Sequence, residues 1–338
     1  MTALPILGGF KILKDVVRIS VVFSPEDASF PSRFCWVIAK ERINLPYFTF
    51  VHDQHSWGMN LIVETPDEVR AIRSIEENFG KIFRVNPGKA VLSLFPHKNN
   101  PAVTGTLFET LSDQGFFPDA LTNSPSAVSV VLKEEFLNRA SDSLFGPFNF
   151  SAYRTPSDWK LAQKGKEQLY KEVVASYQEK RPKVYGLNYR KNQALLVVRL
   201  EIGKIGSFGR ILKNLAPLAL DLSFLASSPD DRGEIRIFFC LSNVANEFPG
   251  ELLETPDRDV RLEHVNPAAM FSMTGPHFGD RYGIASELLR TLNQSGIDVL
   301  AFSCTIASIR GVIPMHLVEQ AIQAIQRCFE VPVVTKKD

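Results

Sequence analysis

What this chain of 338 residues lacks narrows it first. No apolar run approaches the roughly 20 residues a membrane-spanning helix needs. The opening stretch MTALPILGGFKILKD has no basic segment followed by an apolar one of signal-peptide length. Cysteine is scarce: Cys35, Cys240, Cys304 and Cys328 are scattered, with no pair at metal or redox spacing. Three of them sit in apolar strand or helix patterns, where a thiol serves as a small hydrophobe. A cytoplasmic, reducing setting is expected. Charge of one sign is missing too: 38 Lys and Arg face 37 Asp and Glu, a net charge of +1. Neither nucleic acid nor a membrane surface is favoured as a partner.

Catalytic and metal signatures are equally absent. There is no G-x-S-x-G, P-loop or H-E-x-x-H pattern. Cys304 lies between two hydroxyl residues but has no histidine or acid implicated with it. His52 and His55 flank Asp53 near a turn, with no third ligand close in sequence. No catalytic residue, no metal site and no cofactor are expected, and the chain reads as a non-enzyme.

What is present is a 45% hydrophobic composition with 25 phenylalanines, enough for a sizeable core. Phe34, Trp36, Phe48, Phe50, Phe238 and Phe239 fall where a single-stranded nucleic acid could stack on a sheet. No basic run accompanies them, so core packing is the better account.

The chain repeats itself. Val85-Asn86-Pro87 returns as Val265-Asn266-Pro267, and Pro96-His97 as Pro276-His277. One residue later in register, Val103, Leu107, Phe108, Leu111 and Gly115 map onto Ile284, Leu288, Leu289, Leu292 and Gly296. The spacing is one face of a helix, and each glycine suits a left-handed helix terminus. Leu137, Ala140, Leu144 and Phe148 likewise map onto Val318, Ala321, Ile325 and Phe329. The same order of strand, helix, strand, strand, helix occurs upstream in each half. Here Gly58 answers Gly233 and Phe48 answers Phe224.

The reading is an α/β (α+β) protein of four small units in two tandem pairs: unit 1 over 10–82, unit 2 over 83–150, unit 3 over 183–259 and unit 4 over 260–334. Between the halves, residues 151–182 read as a polar linker helix with Thr155 as N-cap, either a spacer or a partner-binding element. His97 and His277 occupy one repeated loop position, where they cap the helix, contact a ligand or survive from the duplication.

Unit 4 carries a strand, a loop with Gly275, Gly279 and Gly283, a helix ending at Gly296, and a strand and turn with Ser303, Thr305, Ser308 and Ile309. In this it resembles the second ACT domain of aspartate kinases. The segment KVYGLNYRKNQALLVVRLE opening unit 3 looks like the strand entering the first such domain. The resemblance covers residues 183–332 and reaches the first half through the internal repeat. It implies ferredoxin-like βαββαβ ACT units, antiparallel sheets with helices on one face, and an aspartokinase-like regulatory region, duplicated and lacking the kinase domain.

Function follows as an expectation: a stand-alone regulatory protein binding an amino acid of the aspartate family as allosteric effector. The alternative is an interaction module that dimerises or docks a metabolic enzyme. A homodimer through ACT–ACT sheet pairing is expected, with sites where two units lie side by side. The candidate binding residues are Gly203, Lys204, Ile205, Gly206 and Ser207 in unit 3. In unit 4 they are Gly275, Phe278, Gly279, Asp280, Arg281, Tyr282, Gly283, Ser303 and Thr305. Bare N–H groups at the helix starts would take a carboxylate. Asp280 or a strand carbonyl would take the amino group. Units 1 and 2 lack comparable glycine loops, as in Pro96-His97-Lys98-Asn99-Asn100-Pro101.

Overall fold

The structure, a computed structural model, describes residues 4–23, 27–52, 56–163, 181–242, 260–275, 278, 282–306 and 308–337. The first half runs β1 (Ile6–Leu7), β2 (Gly9–Phe23), α1 (Phe30–Lys40), β3 (Tyr47–His52), β4 (Trp57–Glu64), α2 (Glu68–Phe79) and β5 (Phe83–Phe95). It continues through α3 (Pro101–Asp113), β6 (Ala120–Asn123), β7 (Val128–Lys133), α4 (Leu137–Ser143) and β8 (Asn149–Phe150). After α5 (Pro156–Gln163), the second half runs β9 (Gly186–Leu200), α6 (Ile205–Leu215), β10 (Asp221–Pro229), β11 (Ile235–Ser242) and β12 (Arg261–Thr274). It ends with α7 (Ile284–Gln294), β13 (Ala301–Thr305), β14 (Ile309–Pro314), α8 (Val318–Cys328) and β15 (Val334–Lys336).

The repeat is visible in the helix ends. Gly115 and Gly296 both take positive φ, 74° and 68°. Beyond them Phe116 N–H bonds Leu111 O at 2.8 Å and Ile297 N–H bonds Leu292 O at 3.0 Å. A side chain with a Cβ would be strained at either glycine. Thr155 caps α5 reciprocally: Asp158 N–H donates to Thr155 Oγ1 and Thr155 N–H to Asp158 Oδ2. Residues 164–180, the rest of the expected linker helix, lie outside the described residues.

The long strands belong to two units at once. The second part of β2, Val16 to Phe23, pairs antiparallel with β4, while Gly9 to Leu13 pairs with the end of β5. The turn between these parts falls at Asp15, in the left-handed region at φ 55°. In the second half β9 and β12 behave alike, with Asn192 at φ 52°. Short polar side chains tolerate this conformation better than branched ones. Strand pairing therefore crosses the boundary drawn at 82/83: residues before 16 join the sheet of unit 2.

Lateral pairing also differs from a tandem arrangement. Unit 1 joins unit 4 through β3 and β13, and unit 2 joins unit 3 through β6 and β10. Because β11 pairs with β9 as well as with β10, the ladder closes into a ring, with β15 added to β9 in parallel. The strand edges that an intermolecular sheet would use at β3, β6, β10 and β13 are thus occupied within one chain.

Helices cover the outside of this ring, and each lateral pair shares a helix-side core. One includes Phe34, Ile38 and Phe48 from unit 1 with Leu288, Phe302 and Ile325 from unit 4. The other joins Leu107 and Phe108 of unit 2 to Phe208 and Leu212 of unit 3. Each such buried side chain contributes about 1.5–3 kcal/mol relative to exposure. Facing one another inside the ring are Val51, Val197, Phe224, Met270 and Val312, and a second group around Tyr47, Ile62 and Val91. Of the six aromatics considered for stacking, five are buried, and Trp36 stays 52% exposed on α1.

Candidate functional site between units 1 and 4

Strands β3 and β13 pair over five residues, from Ala301 opposite Val51 to Thr305 opposite Tyr47. Side chains alternate across a strand. Phe302 and Cys304 therefore point to the helices, where Phe302 stacks on Phe50 with centroids 5.4 Å apart. Ser303 points the other way and its Oγ lies 2.6 Å from Thr122 Oγ1 of unit 2. Thr305 is engaged in its own turn, with its Oγ1 donating to Ser308 O and accepting from Ser308 N–H. The expectation that Ser303 and Thr305 present hydroxyls to a ligand at the helix start is corrected by this one-residue parity.

Above that seam α1 and α7 leave a cleft of about 330 Å³, its open mouth included. Cys35, Ile38, Ala39, Ile43, Asn44 and Leu45 form the unit 1 wall. Phe278, Tyr282, Gly283, Ile284, Ala285, Ser286 and Cys304 form the other. The cleft is narrow as it stands, with room for about one water molecule. Among the described residues helix α7 has no side-chain cap: Gly283 is the N-cap, at φ 86°. An orphan N–H group at a helix start is a donor for a carboxylate.

The floor is apolar. Burial pushes the Cys304 thiol up to about 12 and the Cys35 thiol well above its ordinary value, the Cys304 sulfur adding to the latter. Both are free thiols and stay protonated at neutral pH.

The pair formed by units 2 and 3 is built differently. Its strands share a single backbone bridge, Ala226 with Thr122. Side chains complete the join: Leu225 N–H donates to Asn123 Oδ1, Leu121 N–H to Ser227 Oγ, and Thr122 Oγ1–H to Leu225 O. Its helices touch. A Cβ on Gly105 would lie 2.4 Å from Gly209 O, and one on Gly209 would lie 2.6 Å from Gly105 O.

Of the residues expected to bind, Phe278, Tyr282 and Gly283 come together in the cleft. Gly275 packs under Phe278, where a Cβ would meet the ring at 2.6 Å. Gly279, Asp280 and Arg281 lie outside the described residues. The unit 3 set lies elsewhere: Ile205 is buried, and Gly206 abuts Ser112 of α3. Ser207 Oγ accepts from Arg210, while Gly203 is exposed and Lys204 half-buried on the rim. The six residues of unit 1 had no local signal, since α1 reads simply as an amphipathic helix.

His97 is buried, with Nε2 2.8 Å from Ser124 O, and burial lowers its pKa to about 4. The cap of α3 is Asn100, whose Oδ1 accepts from Ala102 N–H. His277 and His55 lie outside the described residues. Among the described residues no cluster of three metal-ligating side chains forms, and no helix is long and apolar enough to cross a membrane.

No family model and no curated protein matches the chain by sequence. Solved structures do match. An aspartate kinase from Synechocystis superposes with a TM-score of 0.77 at 16% identity, covering 98% of this chain and 57% of that one. Regulatory subunits of aspartate kinase from Thermus thermophilus (ligand-free form) and Thermus flavus give TM-scores of 0.39 and 0.38 at 16% and 17% identity. They cover 42% and 41% of this chain, and 97% and 95% of theirs. The fold argument rests on the first.

That match corrects the reading of the chain as a non-enzyme: its partner over almost the whole chain is an enzyme, so missing catalytic motifs are no ground for denying catalysis. Nor does it bear out that a kinase domain is lacking. What the comparison establishes is an aspartate-kinase-like α/β fold built from ferredoxin-like units.

Proposed function

We propose that the chain is an ACT-type regulatory assembly that binds an amino acid as an effector between units 1 and 4. The observation that carries this reading is the cleft itself, walled by helices from opposite halves of the chain and ending at the start of α7, which has no side-chain cap among the described residues. A carboxylate at that start gains about 0.3–1 kcal/mol from the helix dipole, before its hydrogen bonds. Because the cleft is narrow, a ligand enters by moving α1 relative to α7. A ligand that favours the wider arrangement shifts the population toward it, which makes binding a signal to whatever enzyme activity the assembly serves, within the chain or in a partner.

Thermal unfolding with each common amino acid at millimolar concentration tests this. A ligand at a hundred times its Kd adds about 2.7 kcal/mol. No stabilisation by any of them would remove the effector reading. The second reading, a docking module for a metabolic enzyme or a second copy, is favoured by Trp36, half exposed on α1 with Lys40 Nζ 5.4 Å from its ring centroid.

A further inference from the structure

One row of polar residues crosses the inner face of the sheet formed by units 1 and 4. Ser20, Asn60, Thr49, Ser303, Arg310 and Ser272 stand directly opposite one another across β2, β4, β3, β13, β14 and β12. All six are buried, and the row lies between the apolar groups around Val51 and around Tyr47. We infer that this row couples the two lateral pairs: it holds the joint between units 2 and 3 shut from across the ring, so that a shift of β3 against β13 is felt at β6 and β10.

That joint is not closed by backbone alone. With a single bridge between β6 and β10, the Leu121 and Leu225 amides donate to Ser227 Oγ and Asn123 Oδ1. The row grips the same residues from the other side. Thr49 Oγ1 and Asn60 Nδ2 donate to Ser227 O at 2.7 and 2.9 Å. Arg310 donates to Asn123 Oδ1 at 2.7 Å and to Ser223 O, and the Ser303 and Thr122 hydroxyls lie 2.6 Å apart. Thr49, Asn60, Thr122, Asn123 and Ser227 are fully buried, so no solvent replaces a bond that stretches. Nor is there slack beside them: a Cβ on Gly58 of β4 would lie 2.3 Å from Pro229 O at the end of β10. Strand β13 thus serves both pairs on alternate residues, Phe302 and Cys304 toward the helices and Ser303 toward the joint. The coupling needs no ligand in the cleft.

Native-state amide hydrogen exchange of the full chain tests this in Thr49→Val and Arg310→Met, read at the Leu121 and Leu225 amides, whose acceptors lie on other residues. Thr49→Val removes a hydroxyl at nearly constant volume, and Thr49→Ser restores it. Ile19 and Leu92, on strands paired on both sides, report general loosening. The expected result is exchange tenfold or more faster at Leu121 in Thr49→Val and at Leu225 in Arg310→Met, beyond any change at Ile19 and Leu92. Thr49→Ser should match the natural chain. Ser303→Ala, read at the same two amides, replaces a variant that folds poorly. Unchanged exchange at both amides, or a rise no larger than at Ile19 and Leu92, would overturn the coupling. A loss of protection in Thr49→Ser as large as in Thr49→Val would assign the effect to packing and overturn it as well.

Discussion

Two lateral pairs of one repeated unit solve the same packing problem in opposite ways. Between units 1 and 4 the strands are zipped over five residues, and the helices above them pack through side chains around a narrow cleft. Between units 2 and 3 the strands share one backbone bridge and are joined by side-chain hydrogen bonds, and the helices meet backbone to backbone at Gly105 and Gly209. Helix separation across such a pair depends on the side chains at the crossing point, and glycine allows the closest approach. On α1 and α7 the corresponding surfaces carry Cys35, Ala39, Ala285 and Ser286, each with a Cβ or more. The comparison teaches that side chains at the helix crossing leave a cleft between one pair, and that glycines remove it in the other.

The comparison can be broken most forcefully at the glycines. Gly209→Leu should destabilise the protein by about 3–4 kcal/mol in chemical denaturation, because the obstructing atom is a backbone carbonyl that has nowhere to move. Ala39→Leu in the other pair should stay within about 1 kcal/mol. Equal costs would show that the two helix pairs are packed alike.

Next comes acid stability, which belongs to the closed pair through His97. Burial lowers its pKa in the folded chain from the ordinary 6.5 to about 4. Between those values the unfolded chain holds more protons than the native one, so stability falls as pH drops through this window. The loss is on the order of 3 kcal/mol. Unfolding free energies measured from pH 7 to 4 should show it in the natural chain. His97→Leu should flatten that part of the profile.

A smaller effect is expected at Arg310, a buried β14 residue that links unit 4 to the closed pair. Its guanidinium donates to Asn123 Oδ1 at 2.7 Å and to Ser223 O. Desolvation lowers its pKa to about 9, so part of what the bonds contribute is offset by burying the charge. Arg310→Met should therefore cost only about 1–2 kcal/mol. Smallest of all is the exposed ion pair across the closed helices, Lys213 Nζ to Glu109 Oε2 at 2.5 Å. Lys213→Ala should change stability by less than about 1 kcal/mol, and less still in high salt.

The sequence made some of this legible and hid the rest for identifiable reasons. The repeat could be read because Leu111 with Gly115, and Leu292 with Gly296, encode a helix end locally. The buried positions of α3 and α7 followed from their spacing. The pairing of units 1 with 4 and 2 with 3 left no local trace, because β3, β6, β10 and β13 carry no residue pattern that marks which unit each will join. Asp15 and Asn192 looked like ordinary polar residues, yet they turn the chain so that neighbouring units exchange strands. At the site, Phe278, Tyr282 and Gly283 could be found from the loop pattern. Cys304 was displaced in favour of Ser303 by a parity that sequence alone leaves open. Of the two glycines expected in a unit 3 ligand loop, Gly206 packs against Ser112 of α3 and Gly203 is exposed.

The contrast between the pairs is tested most directly by amide hydrogen exchange with and without a saturating amino acid found by the thermal screen. The account predicts slower exchange at the start of α7, residues 284–286, and in 43–45, with 101–113 and 205–215 unchanged. Protection confined to α3 and α6, with none around the α1–α7 cleft, would contradict it.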